Sequence, residues 1–387
     1  MALSSITGMG CVSAAGTGLS ASLEKLFSSP ETPQVSRRIA DNLSLPVFEL
    51  GEIPGAGTKQ LTGILLDMAL REALDNAKLN RDKLSGFRVG VCLGTTVACQ
   101  LNALDYYREL RAGKSPDNAP LRAFAGSSLA EAVKRDLNLS GPALSIANAC
   151  ASGADAIGLG GLFIKNGVCD LVIAGGADEL SLISMTGFNS LGVCSPAPCR
   201  PFDAERQGLN LGEGAGVVIL EAEEHARRRG VKPEIPLSGY GSKADGYHIT
   251  APKPDGSGLI SAIRKALEQA ELSPRDIAFV NAHGTGTDSN DSSEALALET
   301  VFGNTIDFLS TKRFTGHTLG AAGAIECIFT AQMLMKNEIS ASAGFEKQAS
   351  DMNIAPVRKL TPVKGAYALS TSLAFGGCNS ALILKRI

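Results

Sequence analysis

Tryptophan is absent from this sequence, aromatics make up only 5% of its 387 residues, and no long Lys/Arg run occurs anywhere. With a formal net charge of −3, the chain has no electrostatic footprint for nucleic acid or for an anionic membrane surface. No apolar run reaches the roughly 18 residues needed to span a bilayer, since Lys165-Asn166 and Lys336-Asn337 each close an apolar stretch. No membrane partner is expected. Nine cysteines are an odd number, no secretory leader is evident and no Cys-x-x-Cys pair occurs, so a disulfide framework is excluded and a reducing, cytoplasmic setting is expected. The four histidines are not spaced with cysteines or carboxylates as metal ligands are, and no metal is expected.

What is present is a 44% hydrophobic chain with 43 scattered glycines, enough to bury a core larger than one small domain holds. Short apolar runs alternate with helical periods, which points to α/β layers. Ala2–Gly10 reads as a strand turning at glycine, and Lys59–Leu79 as an amphipathic helix carrying Leu61, Leu65 and Leu74 on one face. Glu221, Glu223, Glu224, His225 and Arg227–Arg229 read as one solvated surface helix. The plan then repeats. The strand entering Asn281-Ala-His-Gly-Thr-Gly-Thr287 mirrors the one ending at Gly94-Thr-Thr96, and the small-residue helix after Gly316 mirrors the one after Cys150. This predicts an internal duplication, with halves at 1–225 and 226–387 related by a pseudo-twofold.

The chain centres on Leu144-Ser-Ile-Ala-Asn-Ala-Cys-Ala-Ser-Gly-Ala-Asp155, a strand, a turn and a small-residue helix with a thiol at the turn. Free N–H groups and the positive dipole end at a helix start favour thiolate, by around one pKa unit. Cys150 is therefore the candidate nucleophile. His283 and His317 lie in glycine-rich turns at duplicated strand ends, which would bring both to the same end of the sheets as Cys150. A cysteine with two histidines suits a reaction that must stabilise an enolate as well as an acyl group. His225 reads as a surface residue and His248 is left open.

Five ordered motifs then add a resemblance. Ala149-Cys-Ala-Ser-Gly153, Arg200-Pro-Phe-Asp203 with Gly212-Glu-Gly-Ala-Gly216, Asn281–Thr287, Lys312–Gly323 and Phe375-Gly-Gly377 make the chain similar to a β-ketoacyl-[acyl-carrier-protein] synthase, of the type I/II condensing-enzyme branch of the thiolase superfamily. The resemblance implies an α/β, thiolase-like fold of two duplicated halves in five αβαβα layers, and a dimer with itself or with a related ketosynthase subunit. It implies a decarboxylative Claisen condensation on substrates carried by the phosphopantetheine of acyl carrier protein, with no further cofactor. Cys150 would be acylated, its oxyanion held by the backbone N–H groups of Cys150 and Phe375. His283 and His317, neutral, would hold the malonyl-derived enolate, His317 serving this step more than acylation. Lys312 would support them, paired with Glu326. Thr285 and Thr287 would bind the phosphopantetheine arm and Phe375 would gate the acyl pocket.

The product would be a fatty acid or a type II polyketide or polyene chain. The alternative is a non-catalytic, chain-length-factor-like subunit. A thiolase is a poorer match, because two histidine turns stand where a second cysteine would serve as acid. Ala374, Leu373 and Cys378 around the gate, Gln207 and Asn210, and Arg313-Phe314 depart from the family pattern, which predicts an unusual gate and substrate preference. The Lys59 helix lacks a basic cluster, having Gln60, Thr62 and Gly63 and only Arg71 beyond Lys59, so carrier docking is expected to be atypical.

Overall fold

The computed structural model describes residues 4–39, 43–53, 61–96, 104–119, 121–122, 128–233 and 235–387. Its strands longer than two residues are β1 (Ser4–Ser13), β2 (Val89–Gly94), β3 (Ala143–Ile146), β4 (Leu171–Asp178), β5 (Gly214–Glu221), β6 (Ile235–Ala244), β7 (Ile277–Asn281), β8 (Asp307–Leu309), β9 (Tyr367–Ala374) and β10 (Cys378–Lys385). They form one sheet in the order β3-β2-β4-β5-β1-β6-β10-β9-β7-β8. Each set of five strands is arranged 3-2-4-5-1, counting from its own first strand. In each, the second strand pairs parallel with the third and fourth, and the remaining pairs are antiparallel. The halves join where Ser4–Ile6 of β1 runs antiparallel to Ile235–Leu237 of β6.

Seven helices supply the other layers: α1 (Leu61–Asn76), α2 (Leu129–Leu137), α3 (Ser152–Lys165), α4 (Leu182–Ser190), α5 (Ser257–Ala270), α6 (Asp288–Phe302) and α7 (Ala322–Lys336). Helices α3 and α7 touch each other and strands of both half-sheets, so they form the middle layer. Helices α1 and α2 cover the outer face of the first half-sheet, while α5 covers the second and has α6 against it. Both faces of each half-sheet are thus buried. In β2, Val91 and Leu93 face the outer core with Leu65 and Leu70, and Cys92 faces the inner one with Ile157. That is why the strands read as unbroken apolar runs. Among the described residues, no helix is long and apolar enough to cross a membrane, and the eight described cysteines are free.

Two expectations change here. The first strand does not turn at Gly10 but continues to Ser13. Its glycines admit α1 instead: a Cβ on Gly8 would lie 2.1 Å from the Ala73 carbonyl oxygen, and one on Gly10 2.1 Å from that of Ala69. Gly10→Ala should therefore destabilise the protein by about 1–3 kcal/mol, the cost of overpacking. Gly63→Ala, in the same helix with nothing within 4 Å, should stabilise it by up to about 1 kcal/mol. Denaturant titration of the two variants checks both signs.

Second, Glu221 does not belong to a surface helix. It ends β5 fully buried, and its carboxylate accepts from Arg229 Nε and Nη2 at 2.7 Å each and from Thr7 Oγ1 at 3.0 Å, with His225 Nδ1 2.6 Å away. His225 packs edge-on to Phe87 and is half-buried. The helix itself forms, over Glu223–Arg228; helical spacing misleads only about Glu221 and Arg229, because the chain folds back after the helix and Arg229 returns to the end of the strand that carries Glu221. Lys59 and Gln60, at the start of the expected amphipathic helix, lie outside the described residues, and α1 ends at Asn76 rather than Leu79.

Candidate active site

Strand β3 delivers the chain to a one-turn 3₁₀ segment, Ala149–Ala151, that leads directly into α3. Ala149 has φ 48°, in the left-handed region that a residue with a Cβ adopts only at a cost. Ser152 stabilises the turn, its Oγ accepting from Asn148 N at 2.8 Å and donating to the Ala149 carbonyl at 2.6 Å. This elbow points Cys150 into the interior, where the residue is 4% exposed. Burial pushes the thiol up to about 12, against the Lys312 charge and a hydrogen bond from the Phe375 backbone N–H. The helix start works in the direction expected from the sequence, but its roughly one-unit effect is smaller than that of desolvation. At neutral pH the sulfur carries its proton and needs an acceptor when it attacks.

His317 Nε2 is 2.9 Å from the sulfur and supplies one. The His283 and His317 rings meet edge to face with centroids 5.2 Å apart. Cys150 Sγ and a ring nitrogen of each histidine lie within 4.8 Å of one another. Burial and the nearby Lys312 charge hold both imidazoles well below the ordinary histidine range, so both are neutral at pH 7. Their tautomers differ in how they are held. Lys312 Nζ lies 3.1 Å from His283 Nδ1 and donates to the His283 carbonyl at 2.6 Å. An ammonium can only donate, so Nδ1 accepts and Nε2 must carry the proton. His317 Nδ1 is buried with no hydrogen-bond partner among the described residues, which leaves its Nε2 able either to accept the thiol proton or to donate. The same three donor atoms would suit a soft metal ion, but the Lys312 ammonium against His283 opposes a second cation there.

Lys312 also pairs with Glu326 Oε1. Burial pushes the Glu326 carboxyl up, and the lysine pulls it back. Glu326 lies on α7, and its main-chain carbonyl accepts from Asn281 Nδ2 at 3.1 Å, tying the lysine to the strand that leads to His283. The structure thus brings Cys150, His283, His317, Lys312 and Glu326 into one cluster. The pocket above it is lined by Phe375, Phe188, Thr285 and Thr287, among others. Thr285 and Thr287 share a 2.9 Å hydroxyl contact on its wall. Phe375 begins the turn between β9 and β10, where Gly376 takes φ 83°, and its ring stacks on Phe188 with centroids 5.2 Å apart. Ala374 is extended (φ −139°), a conformation open to any residue, so the alanine before Phe375 is not strained. Of the remaining histidines, His248 caps an exposed loop, accepting from Thr250 N at 3.1 Å.

Several contributors were not picked out from the sequence. Phe188, on α4, also meets His317 edge-on. Glu294, on α6, accepts from the His283 and Gly284 backbone N–H groups at 2.8 Å each and from Thr371 Oγ1 at 2.7 Å. The available signal was an acid on the helix face that also carries Ala297 and Leu298, a position that burial permits only to a bonded carboxylate. Asn210, noted above as a departure, is buried and does not line the pocket. Its amide spans Cys199 N, Ser195 O, Ala197 O and Pro46 O, and its own carbonyl accepts from His317 N at 2.8 Å. It braces the His317 turn rather than touching the pocket contents.

Comparison with known proteins agrees with this architecture. Residues 61–226 match the profile of the beta-ketoacyl synthase N-terminal domain, and residues 236–346 that of the beta-ketoacyl synthase C-terminal domain. A 3-oxoacyl-[acyl-carrier-protein] synthase 2 of Staphylococcus aureus (strain COL) is 33% identical over 337 residues, 82% of this chain and 80% of that protein. Its counterpart in Rhizobium meliloti (strain 1021) is 36% identical over 335 residues, 83% of this chain and 78% of that one. Among solved structures, the ishigamide ketosynthase/chain length factor superposes with a TM-score of 0.92 at 28% identity, covering 99% of this chain and 98% of that one.

Proposed function

The chain belongs to the β-ketoacyl synthase family, and we propose that it is an active elongating member. In this reading it condenses an acyl group held on Cys150 with malonyl-[acyl-carrier protein], in fatty-acid or type II polyketide-like synthesis. The observation that carries this reading is the Cys150, His283 and His317 cluster, with both imidazoles neutral and one locked as a donor by Lys312. A subunit that only shaped a partner's pocket would have no physical use for such a cluster.

In the first half-reaction the Cys150 sulfur attacks the acyl thioester carbonyl and passes its proton to His317 Nε2. The backbone N–H groups of Cys150 and Phe375 hold the oxyanion, and the carrier thiol leaves with the proton. Malonyl thioester then places its carbonyl oxygen between the Nε2–H of His283 and that of His317, whose ring proton has moved from the unpartnered Nδ1 to Nε2 between the half-reactions. Carbon dioxide leaves, the two donors stabilise the enolate, and its carbon attacks the acyl-Cys150 carbonyl, expelling the thiolate. Thr285 and Thr287 would bind the pantetheine arm, with Phe375 and Phe188 closing the acyl side. The sequence predicts that His317 serves mainly decarboxylation; in the reading proposed here its contact with the sulfur supports a part in acylation as well. His283→Ala and His317→Ala should each lower malonyl decarboxylation by about 10²–10³-fold. Only His317→Ala should also slow acyl uptake, by about tenfold or more. Intact-mass time courses and carbon dioxide release separate the steps, and equal slowing of acyl uptake in both variants contradicts the assignment.

The expected partners are acyl carrier protein and a second ketosynthase-type subunit, identical or related. The similarity to a ketosynthase/chain length factor assembly supports the paired arrangement. On α1, Arg71 is already paired with Asp67 at 2.6 Å, which favours an atypical docking surface. Carrier affinity for the isolated chain should therefore be weak and change little with salt. Tight binding that collapses on adding salt would place a conventional basic patch on this chain.

A further inference from the structure

The Cys150 elbow has a twin. In the second half the chain makes a one-turn 3₁₀ segment, Leu319–Ala321, immediately before α7. Leu319 takes φ 52°, as Ala149 takes 48°. The Ala321 N–H donates to Thr318 O at 3.0 Å, as that of Ala151 donates to Asn148 O at 3.1 Å. Gly320 thus stands where Cys150 stands. Each elbow packs against the end of the fourth strand of the opposite half: the Cys150 turn against β9 and the Gly320 turn against β4.

The two differ in what fills the space before the helix start. Beyond β9 lies the pocket that receives an acyl carbonyl in the reading above. At the end of β4 stands Asp178, fully buried. Its Oδ2 accepts from the Gly320 N–H at 2.7 Å, and its carboxylate also accepts from Thr95 Oγ1 at 2.8 Å and from Thr96 N and Oγ1 at 2.9 Å each. A Cβ on Gly320 would sit 2.7 Å from that oxygen, so no side chain fits where the first half has its thiol. Burial pushes the carboxyl up to about 6 against these donors.

We propose that Leu319–Ala321 is an anion-binding elbow, the counterpart of the Cys150 elbow, occupied permanently by the Asp178 carboxylate, and that this occupation fixes the turn carrying His317. Asp178 is then a positioning residue, three positions from His317 through Gly320. The positional part rests on the condensing reading; the anion site does not.

Asp178→Ala empties the site and Asp178→Asn leaves it filled but neutral, so formate is the probe. About 0.1 M sodium formate, against matched sodium chloride, should raise the melting temperature of Asp178→Ala by several degrees and leave wild type and Asp178→Asn unmoved. The same formate should restore malonyl decarboxylation in Asp178→Ala, about tenfold down without it. Asp178→Asn, which retains the shape, should lose decarboxylation by a similar factor and slow acyl uptake as well, since both steps use His317. Formate acting equally on wild type and Asp178→Ala overturns the anion site. A thermal shift without recovery of decarboxylation, or an Asp178→Asn variant that decarboxylates normally, overturns the positioning role. A wild type that never condenses malonyl carrier counts against the functional reading and leaves the thermal comparison intact.

Discussion

Cys150→Ala is expected to abolish the acyl-mass increment on exposure to acyl-carrier thioesters and to lower condensation by about 10⁴-fold or more, as loss of a covalent nucleophile does. Eight described cysteines are free, and burial holds the thiols of Cys11, Cys92 and Cys327 up near 12 as it does that of Cys150; what sets Cys150 apart among the described residues is the histidine against its sulfur. Removing one sulfur from a small-residue turn should cost little stability. His283 and His317 remain in the variant, so malonyl decarboxylation should persist without a condensation product. Intact mass and carbon dioxide release on one preparation test both halves. An increment that survives on another cysteine would move the nucleophile. Wild type that takes up no acyl group from any chain length, even with its partner subunit, would favour the chain-length-factor-like alternative.

Lys312→Met should destabilise the protein by about 3–5 kcal/mol near neutral pH, because it strands the Glu326 carboxylate in the interior. Glu326 is 3% exposed, and its Oε2 has no partner among the described residues. The cost should depend on pH in a definite direction. Burial already raises the carboxyl above its unfolded value, and losing the lysine raises it further. Below the unfolded pKa the group is neutral in both states and the penalty is small; as pH rises through the folded pKa, near 7 in wild type and higher in the variant, stability is lost. Denaturant melts at pH 5 and pH 8 should diverge for Lys312→Met far more than for wild type. The double variant Lys312→Met/Glu326→Gln, with no stranded charge, should recover most of the stability. It should still fail in decarboxylation, since nothing then locks the His283 tautomer. Equal destabilisation at both pH values would show that Lys312 contributes packing rather than charge.

The sequence by itself determined the alternation of strands and helices, the repeat of the plan and the two histidine turns. Each of these is a local pattern: apolar runs buried on both faces, small residues where two helices meet, glycines at strand ends. It also singled out Cys150 as the candidate nucleophile, from a thiol placed at a strand-to-helix turn. Only tertiary structure decided the rest. Glycine reads as a turn until α1 is seen lying on Gly8 and Gly10, and a run of charges reads as a surface helix until Arg229 folds back on Glu221. The thiol's state was misjudged for a related reason. A helix start is visible in sequence, but the burial that outweighs it comes with a fold that brings groups as distant as His317, 167 positions away, against the sulfur. Asp178 gave no local signal, and for Glu294 the signal marked only burial, since a carboxylate's role depends on which backbone N–H groups converge on it. Those groups are supplied here by Gly320, Thr96, His283 and Gly284, and for Asp178 they are donors from both halves that meet only when the second half folds against the first.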